Sequence, residues 1–166
     1  MSDKTYNALV LCTGNSARSI LGEALLNKLG SGRLNAYSAG SQPKDVPNPG
    51  AIHLLERKGF DISFARSKSW DEFAQPDAPK LDFVFTVCDN AAGETCPIWP
   101  GAPVTGHWGI PDPADVTDPV EAVHEAFELA YKRLEKRIKA FFDLKYENMS
   151  IAELREAFRA IGAMTD

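Results

Sequence analysis

The sequence predicts an α/β fold built on a parallel β-sheet, and three observations lead there. A short apolar run at 8–11 enters a glycine- and serine-containing turn and then a helix. Strand-like and helix-like stretches alternate along the chain after it. The connections between most of them are short, which favours a sheet covered by helices on both faces. A length of 166 residues, with 44% hydrophobic and 25% charged side chains, suits one compact domain spanning 1–166. A helical extension is expected at about 148–166.

The first strand is Ala8-Leu9-Val10-Leu11, closed by the turn Thr13-Gly14-Asn15-Ser16. A helix follows from Ala17 to Leu29, where Ile20, Leu21, Ala24, Leu25 and Leu29 recur at helical spacing and Gly30 with Gly32 gives the stop signal. Leu34 to Ala39 reads as a second strand ending at Gly40. Asn48-Pro49 supplies an N-cap and a proline at the first position of a helix running to Gly59. Leu81 to Val87 is rich in β-branched and aromatic residues, so it is the third strand, and it ends at Cys88. Ala102 to Thr105 is a weaker fourth. Asp118-Pro119-Val120-Glu121 has the form of an N-cap, N1 proline and capping-box acid, opening a long amphipathic helix to about Phe142. Ser150 and Glu153 repeat that start signal, and Leu154, Phe158 and Ile161 share one face of a last packing helix.

Composition excludes several function classes. A net charge of −5 gives no global basic surface for nucleic acid or an anionic membrane, and no run approaches the roughly 20 apolar residues of a membrane span. Three widely spaced cysteines do not make a secreted disulfide framework. A cytoplasmic protein is expected, with thiols placed for chemistry. His53, His107 and His124 lack ligand spacing, and Trp70, Trp99 and Trp108 read as packing residues.

The segment Cys12-Thr13-Gly14-Asn15-Ser16-Ala17-Arg18-Ser19 sets a thiol at a strand end and an arginine six residues on at a helix start. A loop of that length can turn backbone N–H groups inward, and the helix dipole adds positive potential, so the whole becomes a cup for a tetrahedral dianion. Arg18 can grip two oxygens through its planar fork. The same field favours the thiolate of Cys12, which makes it a nucleophile. Ser16 or Ser19 can donate to that sulfur, and Asn15 can brace the loop.

Cys12 to Ser19, with Val10-Leu11 before it, resembles the phosphate loop of the low-molecular-weight tyrosine phosphatase and arsenate reductase superfamily. The likeness continues through Tyr37-Ser38-Ala39-Gly40, Val46-Pro47-Asn48-Pro49, Gly59-Phe60-Asp61-Ile62-Ser63 and the run from His107 to Ala114. It implies four parallel strands in the order 2-1-3-4, and Asp112, before Pro113, as general acid. It also implies the loop residues Thr13, Gly14, Asn15, Ser16, Ala17, Arg18 and Ser19 as the oxyanion seat.

The two branches of the superfamily divide on the fate of the Cys12 adduct. A phosphatase resolves it with water, whereas a reductase needs a second thiol. Val87-Cys88 and Cys96-Pro97-Ile98-Trp99-Pro100 resemble the thiol relay of arsenate reductases coupled to thioredoxin, which implies that Cys88 displaces arsenite and Cys96 moves the disulfide outward. Arsenate reduction is therefore the expected activity, and hydrolysis of phosphomonoesters the alternative. No aromatic residue follows Asp112-Pro113 to wall a phenol pocket. The Cys88–Cys96 spacing is one residue longer than in well-known relays, so the donor stays open between thioredoxin and glutathione with glutaredoxin. No tightly bound cofactor is expected, and the protein is expected to be a monomer. Asn15, Ser19, Glu23 and Ser38 are implied as loop support. Asn15, Glu23 and Ser38 match a potassium site of some relatives, and Lys68 stands where those have an acid. An ammonium there replaces the cation, so no metal is required.

Overall fold

The computed structural model describes residues 5–87 and 103–164. Four strands, β1 (Tyr6–Leu11), β2 (Leu34–Ala39), β3 (Phe83–Thr86) and β4 (Val104–His107), form one parallel sheet. Its order is β2-β1-β3-β4, as the family resemblance implied. The helices among the described residues are α1 (Arg18–Leu29), α2 (Pro49–Arg57), α3 (Val120–Asp143) and α4 (Ile151–Gly162). No helix among the described residues is long and apolar enough to cross a membrane.

Side-chain alternation along β1 divides the core in two. Ala8 and Val10 join a large cluster with Ile20, Leu25, Leu54, Phe127, Leu134 and Phe158, to which all four helices contribute. Leu9 and Leu11 join a smaller cluster on the other face, closed by the 3-10 turn Trp70–Phe73 through Phe73. With both faces covered, residues 8–11 of β1 are an uninterrupted apolar run, which is why the strand is legible without alternation.

Local signals act where the sequence placed them. The Asn48 side chain accepts from the Gly50 N–H at 2.8 Å with Pro49 opening α2. Ser150 and Glu153 form a reciprocal capping box at the start of α4. The box expected at Asp118 does not form. Pro119 itself is the N-cap of α3, with extended backbone and no side-chain cap. Helical geometry then begins at Val120, leaving Asp118 one residue too early to reach the first free N–H groups. The fourth strand also lies further along than expected, because Phe83 pairs with Val104 and Thr86 with His107. A 2.7 Å bond between Thr86 Oγ1 and His107 Nδ1 ties the ends of these strands.

The sheet's carboxyl ends converge on one place. The Val87 N–H donates to the Leu11 carbonyl at 2.9 Å, and the Cys12 N–H to the Ala39 carbonyl at 3.2 Å. Val87 is the last described residue before Cys88, and Cys88, Cys96 and Trp99 lie outside the described residues.

Helix α4 closes the sheet at β4. Phe158 is fully buried, in edge contact with Phe83, Phe85 and Trp108. A Cβ at Gly106 would lie 2.8 Å from that of Phe158, so the glycine lets the helix approach the strand. Trp108 stacks on Phe85 and donates its indole N–H to the Phe158 carbonyl at 3.0 Å. Phe158→Ala should therefore cost about 3–5 kcal/mol in denaturant unfolding, the usual loss for a core aromatic. A loss under about 1 kcal/mol would mean that α4 is dispensable to the core.

Candidate active site

The loop from Cys12 to Ala17 joins the end of β1 to the start of α1. Its bend is fixed at Asn15, which is fully buried and has φ of 44°, the left-handed region that asparagine enters more readily than most residues. Its Nδ2 donates to Ser19 Oγ at 2.8 Å and Ser38 Oγ at 3.0 Å. Its Oδ1 accepts from the Lys68 N–H at 2.9 Å, and its carbonyl from the Ser67 hydroxyl at 2.7 Å. Gly40, at the end of β2, permits the loop to sit this close. Any Cβ there would collide with the carbonyl oxygens of Thr13 and Cys12.

Helix α1 starts without a side-chain cap, so the N–H groups of its first turn keep their donor capacity toward the loop. Arg18 is its first residue. One terminal nitrogen donates to the Ile110 carbonyl at 2.9 Å, and the other lies 3.3 Å from Asp112 Oδ2. Its buried Nε has no acceptor among the described residues, which leaves a donor for a ligand oxygen. Asp112 has two engagements at once. Oδ1 caps the 3-10 turn Pro113–Asp115 through the Ala114 N–H, while Oδ2 faces Arg18. The turn thus presents the acid to the arginine.

Cys12, Thr13, Gly14, Ser16, Ala17, Arg18, Asp112 and Ala114 line one cavity of about 260 Å³, together with Gln42 and Lys44. Cys12 is almost entirely buried at its floor. None of the ten lining residues among the described residues is aromatic.

Behind the loop lies a buried charged pair. The Ser38 hydroxyl donates to Glu23, and Lys68 Nζ stands 3.8 Å from the same carboxylate oxygen and donates to the Arg66 carbonyl at 3.1 Å. Burial pushes the Glu23 carboxyl above its usual range, against the pull of Lys68 and Ser38. Burial likewise pushes the Lys68 ammonium down, and Glu23 opposes it.

The structure brings together the thiol, the arginine, the aspartate and the five support residues Asn15, Ser19, Glu23, Ser38 and Lys68. Ser19 accepts from Asn15. Three contributors have no sequence signal: the Ile110 carbonyl, the Ser67 hydroxyl, and the pair Gln42 and Lys44 on the cavity wall. Each depends on how a loop lies across another element, which no local spacing encodes.

The family described as low molecular weight phosphotyrosine protein phosphatase matches residues 7–157. The chain is 37% identical to an arsenate reductase of Halalkalibacterium halodurans over 79% of this chain and 91% of that one. Among solved structures it resembles an arsenate reductase in the phosphate binding state, with a TM-score of 0.62, 25% identity, and coverage of 81% of this chain and 98% of the other. The fold is shared as well with a low molecular weight phosphotyrosine phosphatase from Vibrio cholerae, with a TM-score of 0.65, 18% identity, and coverage of 86% and 97%.

Replacing Lys68 by methionine removes the charge that draws the Glu23 carboxyl down, so its folded-state value rises further above the unfolded one. Such a group stabilises the fold below the unfolded value, and that contribution is lost as pH rises through the folded one. Lys68→Met should cost about 3 kcal/mol near pH 8 and clearly less near pH 5, as read by denaturant unfolding at both. An equal loss at the two pH values would exclude Glu23 as the partner.

Proposed function

The chain belongs to the low molecular weight phosphotyrosine protein phosphatase family, and from that premise we propose that it is an arsenate reductase working through a Cys12–arsenic adduct. The observation that favours this reading is the cavity itself: a strand-end thiol, an arginine whose Nε has no acceptor among the described residues and an aspartate surround a space with no aromatic residue in its described lining.

In this reading arsenate sits on the N–H groups of the loop from Thr13 to Ser19, clamped by Arg18. The Cys12 thiolate attacks arsenic, and an arsenic-bound hydroxyl leaves as water after taking a proton from Asp112. The Cys88 thiolate then attacks the Cys12 sulfur. The S–As bond breaks, its electron pair stays on arsenic, and As(V) becomes As(III) as the two thiols become a disulfide. Cys96 attacks Cys88 in turn, frees Cys12, and carries the disulfide to an external dithiol. Thioredoxin is the donor we favour, with glutathione and glutaredoxin as the other candidate. Support for the handover comes from the Val87–Leu11 hydrogen bond, which sets the residue preceding Cys88 against the residue preceding Cys12.

Asn15, Ser19, Glu23, Ser38 and Lys68 hold the cup in shape, and the Lys68 ammonium supplies the positive charge that a bound cation would bring. Such thiol chemistry belongs in a reducing compartment, and we assign the protein to the cytoplasm as a monomer.

Hydrolysis of a phosphomonoester would use the same Cys12, Arg18 and Asp112 and no second thiol. Cys88→Ser separates the two. It should lower arsenate turnover at least about 100-fold with either thioredoxin or glutaredoxin supplied, because the adduct then has no resolving sulfur. Full turnover in that variant, or vigorous hydrolysis of a phosphotyrosine peptide indifferent to both Cys88 and Cys96, would overturn the reductase reading.

A further inference from the structure

The loop after β2 closes over the cup in a way its sequence does not announce. Two backbone bonds fasten it there: the Gln42 N–H donates to the Thr13 carbonyl and the Lys44 N–H to the Gly14 carbonyl, both at 2.9 Å. Gln42 and Lys44 are alternate residues, and both line the cavity. The lysine stem lies across Gly14, where an added Cβ would be 3.4 Å from Lys44 Cγ and Cε. The stem of the lysine therefore runs beside the loop that forms the cup.

The charges around the cavity leave Lys44 a role. Arg18 is already faced by Asp112 at 3.3 Å. Lys44 is exposed and has no carboxylate partner among the described residues. A doubly charged oxyanion approaching a thiolate at Cys12 meets a like charge, and the terminal nitrogens of Arg18 are divided between Asp112 and the Ile110 carbonyl. A concave site concentrates the field of whatever cation stands at its mouth. Lysine suits this position, since a flexible point charge can meet an incoming ion and follow it inward.

We propose that Lys44, with Gln42 beside it, is a further substrate-binding residue that draws a compact inorganic dianion into the cup and holds its outward oxygen. The assignment rests on reading the cavity as the oxyanion site. It narrows the substrate class, because an amide and an ammonium side by side on the described wall stabilise a small hydrated ion. Sequence spacing alone would leave both residues as solvated loop positions.

The test is calorimetric titration of inorganic phosphate into the intact parent chain, Lys44→Gln and Lys44→Arg, at low and moderate ionic strength, with arsenate kinetics in parallel. Lys44→Gln should weaken phosphate binding about fivefold at low salt, with the gap narrowing as salt screens the charge, and Lys44→Arg should recover most of it. The KM for arsenate should rise by a similar factor while kcat changes much less. Phosphate binding by Lys44→Gln within the error of the parent, or a loss that Lys44→Arg fails to recover, would overturn the assignment. The two readings separate cleanly. A parent that binds phosphate through Lys44 but does not reduce arsenate leaves Lys44 standing and removes the reductase. A parent that reduces arsenate with unchanged KM in Lys44→Gln does the reverse.

Discussion

Asn15 is buried with a φ of 44°, and the shape of everything around Cys12 follows from that one residue. A left-handed conformation costs an L-amino acid about 1–2 kcal/mol, so it persists only where surrounding contacts hold it. Four hydrogen bonds do so here, reaching β2 through Ser38, α1 through Ser19, and the 67–68 segment through Ser67 and Lys68. Loop, strand and helix are locked to one another through a single amide side chain. Ser38 is itself bonded to Glu23, and Glu23 faces Lys68, so the brace ends on a buried charge pair. A network of this kind holds its geometry because leaving any member unpaired in the interior is costly.

The cup on the other side of that brace is suited to two chemistries, and its mouth favours one. Thiol, arginine and aspartate would serve hydrolysis as well as reduction. What bears on substrate is the wall. Gln42, Lys44 and Ala114 line it, with no aromatic residue among the described lining residues. The order of the sheet bears on the redox step, since β1 and β3 are adjacent and their carboxyl ends meet at Leu11 and Val87. Ligand sites in open α/β sheets form at such a crevice, and here the crevice lies between the chain segments that lead to Cys12 and Cys88.

Much of this was legible in the chain itself, for identifiable reasons. Residues 8–29 read as strand, loop and helix because a buried parallel strand is continuously apolar and α1 keeps helical spacing. Asn48-Pro49 and Ser150 with Glu153 were legible because capping is a contact between near neighbours in sequence. Asp118-Pro119 was misleading for the same local reason: the motif has the right letters, but extended backbone at Pro119 defers the helix by one residue. The end of β4 depended on its register with β3, which no local pattern fixes. Within the site, residues of one contiguous loop could be named in advance. Gln42, Lys44, Ser67 and the Ile110 carbonyl belong to segments that meet the loop only after folding. The role of α4 was also only half legible, because its apolar face announces packing but not that Trp108, near the start of the segment leading to Asp112, donates to it.

The central claim is that the Cys12 thiolate passes its bond to a second sulfur rather than to water. The most direct measurement is peptide mapping by mass spectrometry under non-reducing conditions, after arsenate is added to the fully reduced protein without any external thiol. A Cys88–Cys96 disulfide should form together with a matching amount of arsenite, and a Cys12–Cys88 disulfide when Cys96 is replaced by serine. Three cysteines still reduced after prolonged exposure, in protein that retains phosphate binding, would contradict it and leave the cup to a hydrolase.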